Sequence, residues 1–260
     1  MSWAARRRLI YLSGVILFFA VVVGGPLAYH FLTIPATCHD GIQNQGETSP
    51  DHGGPCLYLD ASALQPEGIL WARTFKVRDG LFDAVAYIDN PNQSAGVINA
   101  PYSLSLYDSQ NVLVADVSGT TSIMPGGITP VFIGGIDTGF RDAVHAQFAF
   151  TGPLTWERVV DVAPAVRITN SQYGSQEGTA NVTASAGNAS ISTIHAVDFV
   201  ATVFDSAGNA IASSQTALPS LDPGADQQIF FTWPNPFSSQ VGRVDIIPIV
   251  APTPDPSAQY

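Results

Sequence analysis

The chain has 260 residues, ten of them Lys or Arg against 21 Asp or Glu, with a formal net charge of -11. Three of the bases stand at Arg6, Arg7 and Arg8, and no acid precedes Asp40, so beyond residue 37 seven bases face 21 acids, a net of -14. So acidic a surface repels phosphate backbones and excludes nucleic acid as a partner, while 12% charged residues, 23 Gly and 19 Pro exclude a bundle of long amphipathic helices.

Residues 1–8 carry the three arginines. Leu9 to Leu32 then run for 24 residues with no Asp, Glu, Lys or Arg. As a helix this run spans about 36 Å, enough to cross a bilayer. The arginines before it predict a cytoplasmic N-terminus and export of everything after it. A cleaved signal peptide is the rival reading. Pro26 disfavours it, because it falls next to or close before each small-residue cut, after Gly25 or Ala28.

Residues 33–60 form the next segment, with Cys38 and Cys56 on the exported side. An exported pair predicts a disulfide. The intervening residues hold few apolar side chains but several oxygen donors between glycines: Asp40, Asn44, Glu47 and Asp51. The pattern Cys38-His39-Asp40-Gly41 through Gly53-Gly54-Pro55-Cys56 resembles Asp/Asn-rich, cysteine-stapled modules of bacterial surface proteins, similar in logic to calcium-binding thrombospondin type 3 repeats. Such modules often carry a further cysteine where His52 stands here. The resemblance implies Ca²⁺ on Asp40, Asn44, Glu47 and Asp51, a hard cation on oxygen ligands. A solvated, disulfide-stapled spacer is the leading reading of the loop. A transition-metal site from His39, His52 and the cysteines is the third reading, disfavoured because adjacent Cys38 and His39 rarely face one ion.

From residue 65 the chain reads as short strands. Residues 68–78 and 81–88 flank the hairpin turn Asp79-Gly80. Asp89 to Asn92 turn, residues 103–108 alternate with period two, Ser109 to Asn111 turn, and residues 112–115 return. Such strands, with a turn every eight to twelve residues, predict a β-sandwich. The pattern then repeats. Ser103 to Ser109 matches Phe199 to Ser206, Met124-Pro125-Gly126 matches Asp222-Pro223-Gly224, and Val131-Phe132-Ile133 matches Ile229-Phe230-Phe231. The predicted fold is therefore all-β: two tandem immunoglobulin-like β-sandwiches, residues 65–160 and 163–250, after a single transmembrane helix. Each is long enough for a core of its own. Residues 251–260, with Pro252, Pro254 and Pro256, read as an extended polar tail.

Leu104-Ser105-Leu106-Tyr107-Asp108, with Val203-Phe204-Asp205 in the second repeat, resembles the FxLYD domain, a small immunoglobulin-like sandwich of prokaryotic envelope proteins. The resemblance implies an exported sandwich without catalytic activity, in which the aromatic packs at a sheet edge and the Asp starts a turn.

No nucleophile elbow, zinc-hydrolase helix, phosphate loop or dinucleotide fingerprint is present. His195 and Asp198 lie three apart on one strand and face opposite sides, which excludes a catalytic pair. Trp71, Trp156 and Trp233 occupy different places in the two repeats and read as packing residues rather than a sugar platform. Asn92, Asn181 and Asn188 open glycosylation-type triplets and read as polar turns. The reading is a non-enzymatic, single-pass envelope protein in a spacer, adhesion or assembly role, whose partners are the membrane and an envelope protein or surface polymer. A carbohydrate- or peptide-binding receptor is the second reading.

Overall fold

The computed structural model describes residues 3–33, 37–176 and 178–259. Residues 1–2 of the predicted N-terminal tail, 34–36 of the loop segment and Tyr260 lie outside them.

The apolar run is helical. Helix α1 (Trp3–Phe19) passes through a π-helical turn at Ala20–Gly24 into α2 (Gly25–Thr33). Pro26 lies just beyond the π turn; it has no N–H to donate to the preceding turn, so the hydrogen-bond ladder slips there. The span Trp3–Tyr29 is long and apolar enough to cross a membrane and buries none of its residues against the rest of the chain. The helix therefore begins earlier than the apolar run and includes the arginines.

Two short strands, β1 (Glu47–Ser49) and β2 (His52–Gly53), form a hairpin inside the cysteine loop. The first sandwich comes next: β3 (Gly68–Arg78), β4 (Leu81–Asn90), β5 (Ala95–Tyr107), β6 (Leu113–Ile123), β7 (Gly127–Asp137), β8 (His145–Phe150) and β9 (Glu157–Val160). The second contains β10 (Val166–Gln176), β11 (Thr179–Asn188), β12 (Ile194–Asp205), β13 (Ala210–Leu221), β14 (Asp226–Trp233) and β15 (Val241–Ile249). The pairing is the same in both. Sheets β3-β4-β7 and β10-β11-β14 correspond, as do β6-β5-β8 and β13-β12-β15, and every pair is antiparallel. The all-β fold read from the sequence is thus the observed one, with strand boundaries inside the predicted 65–160 and 163–250.

Each sandwich has its own core. Phe82, Ile88, Leu104, Leu106, Ile123 and Phe148 fill the first, and Val182, Phe199, Val203, Leu221, Ile229 and Phe231 fill the second. Matching asparagines close the ends of β4 and β11. Asn90 Nδ2 donates to the carbonyls of Ala95 and Met124 at 2.7 and 2.8 Å, and Asn188 Nδ2 donates to those of Ser192 and Leu221, both at 2.8 Å. The two amides are 0% and 3% exposed, so each ties three segments together through bonds that burial makes costly to break. Both Asn188 amide protons are used, which leaves that triplet no room for a glycan. Asn92 Nδ2 is likewise engaged, by the Gln65 carbonyl and Asn90 Oδ1. The turns after β5 and β12 are also equivalent. Asp108 Oδ1 accepts from the N–H of Gln110 and Val112, and Asp205 Oδ1 from those of Ala207 and Asn209. These backbone donors, with that of Val112 first for Asp108 and that of Asn209 first for Asp205, hold both carboxyls below their ordinary range.

The sandwiches are stacked rather than strung out. A third cluster joins them: Val85 and Tyr87 of β4 meet Val200 of β12, with Trp71, Phe75, Phe132, Ile247 and Ile249 around them. Trp71 stacks on Tyr87 at 4.2 Å and meets Phe204 edge-on at 6.2 Å. The guanidinium of Arg243 covers Phe204 at 3.9 Å, and Arg73 Nη1 and Asn235 Nδ2 each donate to a carbonyl of the other sandwich. Strands β4 and β12 are therefore buried on both faces. The tail also differs from a free end. Its strand β16 (Thr253–Pro254) pairs with Val159 and Val160 of β9, returning the chain to the first sandwich.

Burial between the sandwiches pushes the Tyr87 phenol up to about 12. An unfolded tyrosine ionises near pH 10, so the unfolded state loses this proton first as pH rises. The contribution is complete below pH 10 and is lost between pH 10 and 12, up to about 2–3 kcal/mol. Urea denaturation across that range should show the loss, and Tyr87→Phe should flatten the slope. Asn188→Ala should cost about 1–3 kcal/mol at neutral pH, because it removes the amide donor from the buried Leu221 carbonyl and breaks the link to Ser192; no measurable loss would deny that amide its role.

Candidate functional site: the stapled loop and the tail clasp

Cys38 and Cys56 are joined as predicted, with Cα atoms 5.6 Å apart and a sequence separation of 18. The loop they close is organised by its carboxylates. Asp40 Oδ1 accepts from the Ile42 N–H at 2.8 Å, and its Oδ2 accepts from Asn44 Nδ2 at 2.9 Å. These bonds, the Asn44 amide first, hold the Asp40 carboxyl below its ordinary range. Both Asp51 oxygens accept from the Gly41 N–H at 3.1 Å. Glu47 is only 6% exposed; its Oε2 accepts from the N–H of Asn44 and of Asp51, and its Oε1 lies 3.2 Å from Cys56 Sγ, a close contact because a disulfide sulfur carries no proton. Gln43 Nε2 donates to the Glu47 and Thr48 carbonyls, completing the turn.

All four predicted calcium ligands thus share one network. Among the described residues, the group of three or more acid, histidine and cysteine atoms within 4.8 Å of one another is that of Cys38, Glu47 and Cys56, whose sulfurs are bonded to each other. Asp40 and Asp51 place both carboxylate oxygens, and Glu47 its Oε2, on N–H groups of the loop, whereas Asn44 Oδ1 is buried without a donor. Calcium takes six to eight oxygens around one point, and the Asp40, Glu47 and Asp51 carboxylates do not lie within 4.8 Å of one another as a group of three. With both sulfurs in the disulfide, the transition-metal reading keeps only its histidines, and His52 Nδ1 lies 2.8 Å from the Pro50 carbonyl.

The loop is fastened to both ends of the folded region. Gly53 N–H donates to the Tyr58 carbonyl, Arg158 N–H to that of Leu57, and Leu59 N–H to that of Trp156. From the other side, Leu57 N–H donates to the Gln259 carbonyl and Gln259 N–H to that of Pro55, so Cys56 and Gln259 run parallel as a β-bridge. Arg158 Nη2 reaches the Gly54 carbonyl at 2.8 Å, and Ala258 is buried. Nothing in the spacing of residues 251–260 signals this docking; their prolines suit an extended strand but do not name its partner.

The tryptophans do not gather. Trp71 lies between the sandwiches, Trp156 in the first core, and Trp233 packs on Phe237 at 5.1 Å while donating Nε1–H to the Ser213 carbonyl.

No protein-family model matches the chain, and no curated protein does. Two solved structures align over most of it. One is a transglutaminase from red sea bream, at 11% identity and a TM-score of 0.23, covering 71% of this chain and 29% of that one. The other is a putative β-galactosidase from Bacteroides fragilis, at 12% identity and a TM-score of 0.19, covering 68% and 34%. The chain thus spans about a third of the length of either, and at these scores neither bears on activity.

Glu47→Ala strips two backbone N–H groups of their buried acceptor. It should cost the loop about 1–3 kcal/mol, read as faster hydrogen exchange across residues 41–56. Exchange in millimolar CaCl₂ should equal that in EDTA. Protection that rises with calcium and vanishes in Asp40→Ala would instead place an ion on these carboxylates.

Proposed function

We propose that this is a single-pass, non-enzymatic protein of a prokaryotic cell envelope, anchored by the helix over residues 3–29, with residues 37–259 outside the cytoplasm as a rigid spacer or assembly module. The observation that carries the reading is the order of parts: an unburied apolar helix with three arginines in its first turns, then at once a disulfide, then sandwiches. The arginines favour a cytoplasmic N-terminus, and the disulfide favours an oxidising compartment for the residues beyond the helix. The reading of both repeats as FxLYD-like domains belongs here too. The paired Asp108 and Asp205 turns and the paired Asn90 and Asn188 amides support two copies of one domain type. Rigidity arises from the shared apolar face between the sandwiches and from the tail clasp, and the stapled loop serves as the joint beneath them.

The test is sidedness. In intact cells, a membrane-impermeant maleimide should label Gln110→Cys, which lies in an exposed turn, and should reach Ala4→Cys only after permeabilisation. The reverse pattern would overturn the orientation. A mature chain beginning after residue 25 would replace the anchor with a cleaved leader.

A further inference from the structure

A cleft of about 400 Å³ opens where the first sandwich meets the second. Its walls include Thr120 to Ser122 of β6, Thr129 to Phe132 of β7, and Asp198 and Gln215 of β12 and β13. We propose that this cleft binds an extended peptide segment carrying a lysine or arginine, which adds as a strand to the free edge of β6 and sets its cation against Asp198. This goes beyond the spacer reading and rests on the fold alone, whichever side of a membrane the sandwiches occupy.

Three observations favour that occupant. The first is backbone. β6 and β7 are the end strands of the two sheets of the first sandwich, and β13 is the end strand of its own, so the cleft is bounded by strands paired on one side only. Unpaired strand edges are what an extended peptide recognises. Most other edges are blunted. β3 carries two register breaks, β10 breaks at Asn170, β13 and β15 carry Pro219 and Pro248, and β8 has six residues. β6 runs eleven residues without proline; its ladder with β5 shifts register twice, but the extra residue beside the cleft lies on β5, and the one on β6, between Leu113 and Ala115, lies away from it. Its one charge, Asp116, is held by the hydroxyls of Ser103 and Ser105 at 2.9 and 2.6 Å.

The second is charge. Asp198 is the one charged residue lining the cleft among the described residues. It is half-buried, and among the described residues no cation pairs with it. The whole region beyond residue 37 is acidic, which draws a cationic segment toward it. The third is backbone strain. Ala196 has φ of 51° at the cleft, in the left-handed region that alanine rarely adopts, opposite Pro219, which has no N–H for the ladder. Its counterpart, Asn99, lies in a bulge of β5 and lines the same cleft, so both repeats are distorted at one place. Strain held at a cleft is a recurrent mark of a binding site. A saccharide suits the walls less well. Tyr102 spends its ring face on Phe148 at 5.0 Å and Phe132 packs into the junction, which leaves no aromatic platform. At about 3.3 Å per residue, the three β6 residues in the cleft span about 10 Å and accommodate three or four residues of ligand.

The test uses the full chain in nanodiscs, panned with a phage-displayed random heptapeptide library and counter-selected on empty nanodiscs. Enriched peptides should carry Lys or Arg flanked by β-branched residues. Made synthetically, they should slow amide exchange at residues 120–122. Asp198→Asn should weaken them at least tenfold in fluorescence anisotropy, replacing the peptide's cation by glutamine should do the same, and the two changes together should cost no more than either alone. Gln215→Lys, at the exposed rim, should weaken binding independently. No enrichment over empty nanodiscs, or peptides that bind Asp198→Asn unchanged, would overturn the proposal. So would a glycan, found by array screening of the same preparation, whose binding is lost in Asp198→Asn.

Discussion

Two strands, β4 and β12, are buried on both faces, and the shape of the β region depends on it. A sandwich strand ordinarily alternates, with one face in the core and the other in water. Here Ala84, Ala86 and Ile88 face their own core while Val85 and Tyr87 face the neighbouring sandwich; Phe199, Ala201 and Val203 likewise face their core while Val200 faces back. The result is four sheets in one stack. Aromatic and β-branched side chains at the middle junction make the two repeats one body, where an open linker would leave their angle free.

The repeats are alike in topology and unlike in what they expose. The β3-β4-β7 sheet of the first sandwich meets the β13-β12-β15 sheet of the second, so the contact joins two different surfaces of one domain type. Such a contact can in principle repeat without end. The sequence stops it at both outer faces. Where the first repeat has Val85 and Tyr87, the second has Thr183 and Ser185, partly exposed on its outer sheet; where the second has Val200, the first has Ser103, bonded to Asp116. Phe230 remains exposed at the place that Phe132 fills in the junction, an apolar remnant on an otherwise polar face.

Much of this was legible from residue order. Period-two alternation at residues 103–108 marks a strand with one wet face, and β5 has one. The matching of Tyr107-Asp108 with Phe204-Asp205 places equivalent turns, and both carboxylates cap them. The two cysteines announce their bond. Other features were out of reach for physical reasons. Continuous apolar runs such as residues 84–88 signal two-sided burial but not which surface supplies the second side. A proline-rich tail fits any edge that lacks a partner, so its pairing with β9 and with the cysteine loop depends on where the folded ends happen to meet. The loop reads as a spacer or as a set of cation ligands because oxygen donors between glycines serve backbone N–H groups and cations equally well; the geometry adds which N–H groups they meet. Asn90 and Asn188 carried no signal beyond that of a turn, although each ties three segments in its sandwich.

The return of the tail to the cysteine loop has a mechanical consequence. The chain leaves the helix, enters the stapled loop, traverses both sandwiches and ends hydrogen-bonded beside Cys56. Tension between the anchor and the last residues would therefore travel through the disulfide and a few tail hydrogen bonds, bypassing some two hundred intervening residues. The tail would peel first, one bond at a time, while the sandwiches stayed unloaded. Tension applied instead at the outer loops would pass through the whole stack. The same molecule is thus a weak tether when pulled by its end and a stiff strut when pulled by its tip.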